Sequence, residues 1–262
     1  MKLAIVGAGK MGGAVLTGAL DAGVLSADEV GIYHPVPGRL AELTARYGVT
    51  GLDDEQVHRA ERILIAVKPQ SFDAVAPLIA QRNACYISIM AGVPARVIAR
   101  RVGSQRVIRA MPNLGARIGR SATALAHLPE ATNDDVGMAQ RLFEAVGVVF
   151  PIPERLFDAF TGLAGSGPAF MAVVAEALAD GGVRVGFSRD TARDLSRLVL
   201  SATADLLNDR TPAELKDEVS SAGGTAIAGV RALEQHGARF ALLSAVEEAT
   251  RRAAELSRED DG

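Results

Sequence analysis

The chain has 262 residues, 48% of them hydrophobic and 23% charged, enough for two cores in a soluble globular protein. Its net charge of −3 gives no electrostatic reason to expect nucleic acid or an anionic membrane as a partner. No apolar stretch approaches the length of a membrane span and Met1-Lys2 leads straight into a strand-like run, so a cytoplasmic protein without a membrane partner is expected.

The first half alternates strand and helix patterns. Residues 2–6 form a short apolar run, and Gly7-Ala8-Gly9-Lys10-Met11-Gly12 follows it, opening a helix through about residue 22. A second strand is predicted over 29–33, with further strands over 63–67, 85–90 and 107–111. Helical patterns at 72–79 and 95–101 separate them, the signature of a parallel sheet covered by helices on both faces. A glycine triplet placed between a first strand and its helix is a dinucleotide signal with a physical basis. Gly7 makes the tight turn, Gly9 lets the backbone touch a pyrophosphate, and Gly12 lets helix and strand pack closely. The second strand ends at Tyr33-His34-Pro35-Val36-Pro37-Gly38-Arg39 and offers no carboxylate for a ribose 2′-hydroxyl. Arg39 can pair with a 2′-phosphate, which favours NADP(H) and leaves NAD(H) as the alternative.

Cys85, the single cysteine, lies in the apolar run 84–89 and reads as a buried strand residue. The histidines His34, His58, His127 and His236 lack metal-ligand spacing, so no metal site is expected. Of 28 basic residues only Lys2, Lys10, Lys68 and Lys216 are lysines, which makes a lysine inside a motif less attributable to composition.

After Pro151-Ile152-Pro153 the strand signals stop, placing a domain boundary between 1–152 and 153–262. Helical patterns follow over 156–163, 168–179, 191–207, 225–233 and 240–256. Their Ala, Leu and Val content is too extensive for so small a bundle to bury alone, which predicts a homo-oligomer. Between two of these helices, residues 219–229 set hydroxyls against paired glycines before a helix start, a pattern suited to a small carboxylate. A turn in which the serines merely cap the helix is the plain alternative.

With Ala66-Val67-Lys68-Pro69, Val107-Ile108-Arg109-Ala110-Met111-Pro112-Asn113, the stretch 158–170 (DAFTGLAGSGPAF) and 215–225 (LKDEVSSAGGT), the glycine turn makes a combination that resembles the pyrroline-5-carboxylate reductase family from Met1 to about Leu256. The resemblance implies a doubly wound, mostly parallel α/β Rossmann domain, then an all-α domain that exchanges contacts with a second subunit in a dimer or a ring of dimers. It implies NAD(P)H-dependent reduction of the C=N bond of 1-pyrroline-5-carboxylate to L-proline. Carried onto this sequence, the nucleotide contacts are Val6, Gly7, Ala8, Gly9, Lys10, Met11, His34, Ala66, Val67, Lys68, Pro69, Met90 and Ala91, beside Gly12 and Arg39 from the motif reading. The imino-acid contacts are Glu154, Ser221, Gly223, Gly224 and Thr225, with Ser221 and Thr225 nearest the chemistry.

Two departures cluster at the ligand. Family members typically read Ser-Pro-Gly-Gly-Thr-Thr where this chain has Ser221-Ala222-Gly223-Gly224-Thr225-Ala226, so the threonine assigned to the ring nitrogen is Ala226. Members also continue Met-Pro-Asn with Thr-Pro, here Leu114-Gly115. These changes leave two alternatives open: a paralogous reductase of another cyclic imine, or a catalytically weak dinucleotide-binding regulator.

Overall fold

The computed structural model describes residues 1–259. They group into two compact units, one running from Met1 to Gly165 and resuming at Ala249, the other spanning Ser166–Glu248.

In the first unit β1 (Leu3–Val6), β2 (Val30–Tyr33), β3 (Thr50–Leu52), β4 (Arg62–Ile65), β5 (Cys85–Ser88), β6 (Val107–Pro112), β7 (Ser121–His127) and β8 (Gly147–Pro151) form one sheet. Its order is β3-β2-β1-β4-β5-β6-β7-β8. Neighbours from β3 through β6 are parallel, β7 runs antiparallel to β6, and β8 is parallel to β7. Around the sheet lie α1 (Lys10–Asp21), α2 (Pro37–Tyr47), α3 (Asp54–Val57), α4 (Phe72–Ile79), α5 (Ala95–Val102), α6 (Asn133–Glu144) and α7 (Phe157–Phe160).

All four residues of β1 are buried, because its side chains alternate between two separate cores. Leu3 and Ile5 join the core that holds Leu16 of α1 and Phe143 of α6. Ala4 and Val6 join the one that holds Phe72 of α4 and Ile98 of α5. Strand order reverses between β1 and β4, and in such sheets the crevice beyond the strand C-termini at that point is where ligands bind.

The sheet also buries charge. Asp135 is wholly inaccessible and accepts from Arg106 Nε at 2.9 Å and Nη2 at 2.8 Å, and from the Thr132 hydroxyl at 2.8 Å. Burial alone would raise its carboxyl, but the Arg106 guanidinium and Thr132 outweigh it and hold the group below the ordinary carboxylate range. Arg62 Nε stands 3.1 Å from Asp135 Oδ1 without hydrogen-bond alignment and adds charge compensation only.

The second unit contains α8 (Gly167–Arg184), α9 (Arg189–Leu206), α10 (Pro212–Val219), α11 (Thr225–Gln235) and the first half of α12 (Ala238–Glu259). Gly182 permits close approach of α8 and α9, since a Cβ there would lie 3.0 Å from Ala192 Cβ. Ser196 Oγ of α9 donates to the Ala175 carbonyl of α8 at 2.6 Å. Few side chains of this unit are buried: Val173, Leu198 and Phe240 are 65%, 59% and 73% exposed.

The sequence reading does not anticipate β3, α3, β7, α6 or α10, and the strands it expects over 63–67 and 85–90 end at Ile65 and Ser88. The expectation that no stretch approaches a membrane span is corrected. The helical run Glu154–Arg184 is long and apolar enough by length and composition, with mean hydropathy 1.4 over its most apolar window. Its apolar surface is of the kind that helix pairing between subunits also requires.

Candidate functional site

The glycine turn is held by contacts that explain each glycine. Gly7 has φ +83°, and a Cβ there would lie 2.6 Å from Val67 Cγ1. A Cβ on Gly12 would lie 2.8 Å from Ala66 Cβ, so α1 packs directly on the end of β4. Gly9 meets nothing nearer than the Gly7 carbonyl at 4.0 Å, leaving its backbone open to a ligand. It also caps α1 without a side-chain hydrogen bond, so the first-turn amides are free for an anion.

Beyond these strand ends lies a cavity of about 310 Å³ lined by Val6, Gly7, Ala8, Gly9, His34, Arg39, Ala66, Val67 and Lys68, together with Pro35, Leu43, Ser71 and Val75. Four separate sequence segments thus reach one hollow. His34 Nδ1 accepts from the Val36 amide at 3.0 Å, which orients the imidazole. Arg39 pairs with Glu42 one turn along α2 and also lines a larger adjoining groove of about 850 Å³ with Ala8, Gly9 and Lys10. At the end of β2 the Tyr33 hydroxyl donates to Asp54 Oδ1 at 2.5 Å, and burial followed by this partner pushes the phenol up to about 12.

Other nominated residues lie elsewhere. Met11 packs on a core, Pro69 starts the turn after Lys68, and Met90 is buried beside the exposed Ala91, none of them lining the cavity. Ser71, three residues past Lys68 in the loop after β4, was missed; a hydroxyl in that strand-end loop was the available signal. Cys85 is buried in β5 and burial pushes its thiol up to about 12, leaving it protonated and unreactive.

In the second unit α10 opens with a Thr211–Glu214 capping box, and the chain then turns through Ser220 and Ser221 to Gly223, which has φ +72°. The Gly224 amide donates to the Ser221 carbonyl at 3.0 Å, and a Cβ on Gly224 would lie 2.5 Å from Ser221 Oγ. No side chain caps α11, so the serines do not perform the plain capping role. The first-turn amides of Thr225 and Ala226 lie at an open helix N-terminus, which carries partial positive charge. Ser220 Oγ is buried without a hydrogen-bond partner. Glu154 belongs to the first unit, where its Oε1 accepts from the Ala95 amide at 2.7 Å and from Arg109 Nη1 at 3.0 Å.

Residues 154–256 match the family model described as pyrroline-5-carboxylate reductase dimerisation, and residues 2–92 match the one described as NADP oxidoreductase, coenzyme F420-dependent. A pyrroline-5-carboxylate reductase of Thermus thermophilus is 52% identical over 257 residues, covering 98% of each chain. The solved 1-pyrroline-5-carboxylate reductase of Streptococcus pyogenes superposes with a TM-score of 0.86 at 29% identity, over 97% of this chain and 98% of that one. A pyrroline carboxylate reductase of Plasmodium falciparum, solved with NADP bound, shares the fold with a TM-score of 0.85 at 24% identity over 98% of each chain.

Proposed function

Because this chain belongs to the pyrroline-5-carboxylate reductase family, we propose that it reduces the C=N bond of 1-pyrroline-5-carboxylate with NAD(P)H to give L-proline, the closing step of proline biosynthesis. The observation that carries this reading is the hollow where Val6–Gly9, His34, Arg39 and Ala66–Lys68 meet at the strand switch point. A dinucleotide fits these residues: the backbone of Gly9 is open, the α1 amides are uncapped, and basic side chains stand at the rim.

When bound, the reduced nicotinamide supplies the hydride that the imine carbon accepts. The chain's own work is binding and orientation. The α1 amides and Gly9 hold the pyrophosphate, Lys68 sits beside the nicotinamide ribose, and Arg39 with Lys10 answers a 2′-phosphate. This last pair supports NADPH as the preferred donor. Ser221 and the amides of Gly223, Gly224 and Thr225 hold the substrate carboxylate, and the Thr225 hydroxyl takes the donor role toward the ring nitrogen that Ala226 cannot fill. Self-association through the dimerisation segment, as a dimer or a ring of dimers, completes the reading, with the cytoplasm as the compartment.

Ala226 is the observation that favours a second reading, a reductase of a larger cyclic imine. Losing one hydrogen bond to the ring nitrogen costs about 1–3 kcal/mol, about ten- to a hundred-fold in rate, unless another group replaces it. NADPH oxidation followed with the five-membered imine and with its six-membered homologue separates the two. Preference for the six-membered ring overturns the proline-forming reading, and tight NADPH binding without oxidation of either leaves a regulator. For the cofactor, KM for NADPH and NADH in wild type and Arg39→Ala is the test; an unchanged preference removes Arg39 from the 2′-phosphate.

A further inference from the structure

Glu154 carries a carboxylate with two hydrogen bonds inside the first unit. It begins the short turn Glu154–Leu156 that follows β8. One oxygen, Oε1, accepts from both the Ala95 amide at 2.7 Å and Arg109 Nη1 at 3.0 Å. Arg109 lies on β6 with its side chain 7% exposed, and its guanidinium sits 4.7 Å from the centre of the buried Phe157 ring. The acceptor is thus fixed by two donors, the Ala95 amide and a charged partner that is shielded from solvent and held by the Phe157 ring.

Ala95 is the first residue of α5, and the residue before it, Pro94, has no side chain able to cap the helix. Glu154 does so from 59 residues away, placing negative charge where the helix dipole is positive. The segment it anchors is short. From the end of β5 the chain runs through Ile89, whose amide bonds to Ile65 of β4, through buried Met90, whose amide donates to Ser88 Oγ, and through Gly92 at φ +79° to buried Val93 and Ala95. One end of this turn is tied to the strands, and the other is tied to Glu154.

We infer that Glu154 is a positioning residue for the cofactor: through Ala95 it fixes the strand-end turn bearing Met90 and Ala91, and Arg109 with Phe157 fixes Glu154. The inference rests on the dinucleotide reading above: the turn leaves the C-terminal end of β5, the neighbour of β4, whose own strand-end loop Ala66–Lys68 lines the cavity, and the family resemblance assigns Met90 and Ala91 to the nucleotide. Its consequence is read in how the cofactor is held.

The test is a split between cofactor and substrate constants in Glu154→Ala, Glu154→Gln, Arg109→Met and the Glu154→Ala/Arg109→Met double variant. Kd for NADPH is read by nicotinamide fluorescence, and KM for the imine is read at saturating NADPH. In Glu154→Ala the NADPH Kd is expected to rise about five- to thirty-fold while the imine KM stays within about two-fold. Glu154→Gln recovers most of the loss, because its amide oxygen still accepts from Ala95. Arg109→Met shifts the same constant, and the double variant shows less than the sum of the two. Should Glu154→Ala not fold, Glu154→Gln against Arg109→Met carries the same comparison. A raised imine KM with NADPH Kd unchanged restores Glu154 as a substrate ligand and overturns the inference, as does a wild-type Kd in every variant. Failure of wild type to oxidise NADPH with any cyclic imine would count against the proposed reaction, leaving the binding measurement intact.

Discussion

Both glycine turns in this chain place a positive-φ glycine ahead of a helix whose N-terminus no side chain caps, yet their surroundings differ. Around Gly7 and Gly12 the neighbours are close and buried, with Val67 Cγ1 and Ala66 Cβ inside 3 Å of where a side chain would begin. A Cβ on Gly223 would meet nothing within 4 Å, one on Gly224 would meet only the turn's own Ser221, and Ser221, Ala222 and Thr225 are exposed. The sheet unit therefore preorganises its turn by its own packing, which suits a cofactor that must be held to a fraction of an ångström. The helical unit, with its apolar faces exposed and its match to a dimerisation family, relies on self-association for its burial.

If the sheet unit is self-sufficient, its buried charge is its weakest point. Asp135→Asn should destabilise it by about 3–5 kcal/mol in denaturant unfolding, since Arg106 and Arg62 lose a buried counter-charge. The sign of the pH dependence follows: the folded pKa lies below the unfolded one, so the contribution is full above about pH 4 and is lost as pH falls through the folded value. That acid-side slope should be missing in the variant. Next in size, Gly7→Ala forces a left-handed backbone and a clash with Val67, and NADPH binding should weaken about 100-fold or more by fluorescence titration. Phe240→Asp, on the exposed face of α12, should weaken self-association about 30-fold in sedimentation equilibrium while leaving NADPH binding intact. Equal affinity for both cofactor and partner after that change would break the contrast between the units. Smallest is Gly224→Ala, where a methyl meets Ser221 Oγ, a flexible side chain able to turn away; KM for the imine should rise about ten-fold with NADPH binding unchanged.

The same contrast governs what could be read from the residues. Helix 72–79 was read correctly at both ends because its apolar spacing is local, and the glycine turn because φ and close approach restrict it to glycine. β7 was missed because Ser121-Ala122-Thr123-Ala124-Leu125-Ala126-His127 has small residues in place of the branched ones that mark strands; its neighbours β6 and β8 make it a strand. α10 is short and largely exposed, although Thr211-Pro212-Ala213-Glu214 spells a capping box. Ser71's place in the cavity and Glu154's hold on Ala95 depend on pairings across the fold, and no local pattern carries them. At Ala226 the residues and the structure agree on an open helix start and a missing hydroxyl, which leaves the substrate to be decided by turnover.

That decision lies in steady-state oxidation of NADPH by wild-type protein, with 1-pyrroline-5-carboxylate and its six-membered homologue compared under the same conditions. Proline formation with the five-membered imine at the higher kcat/KM is the expected result. Oxidation with the six-membered ring alone, or NADPH binding with neither imine reduced, would contradict it.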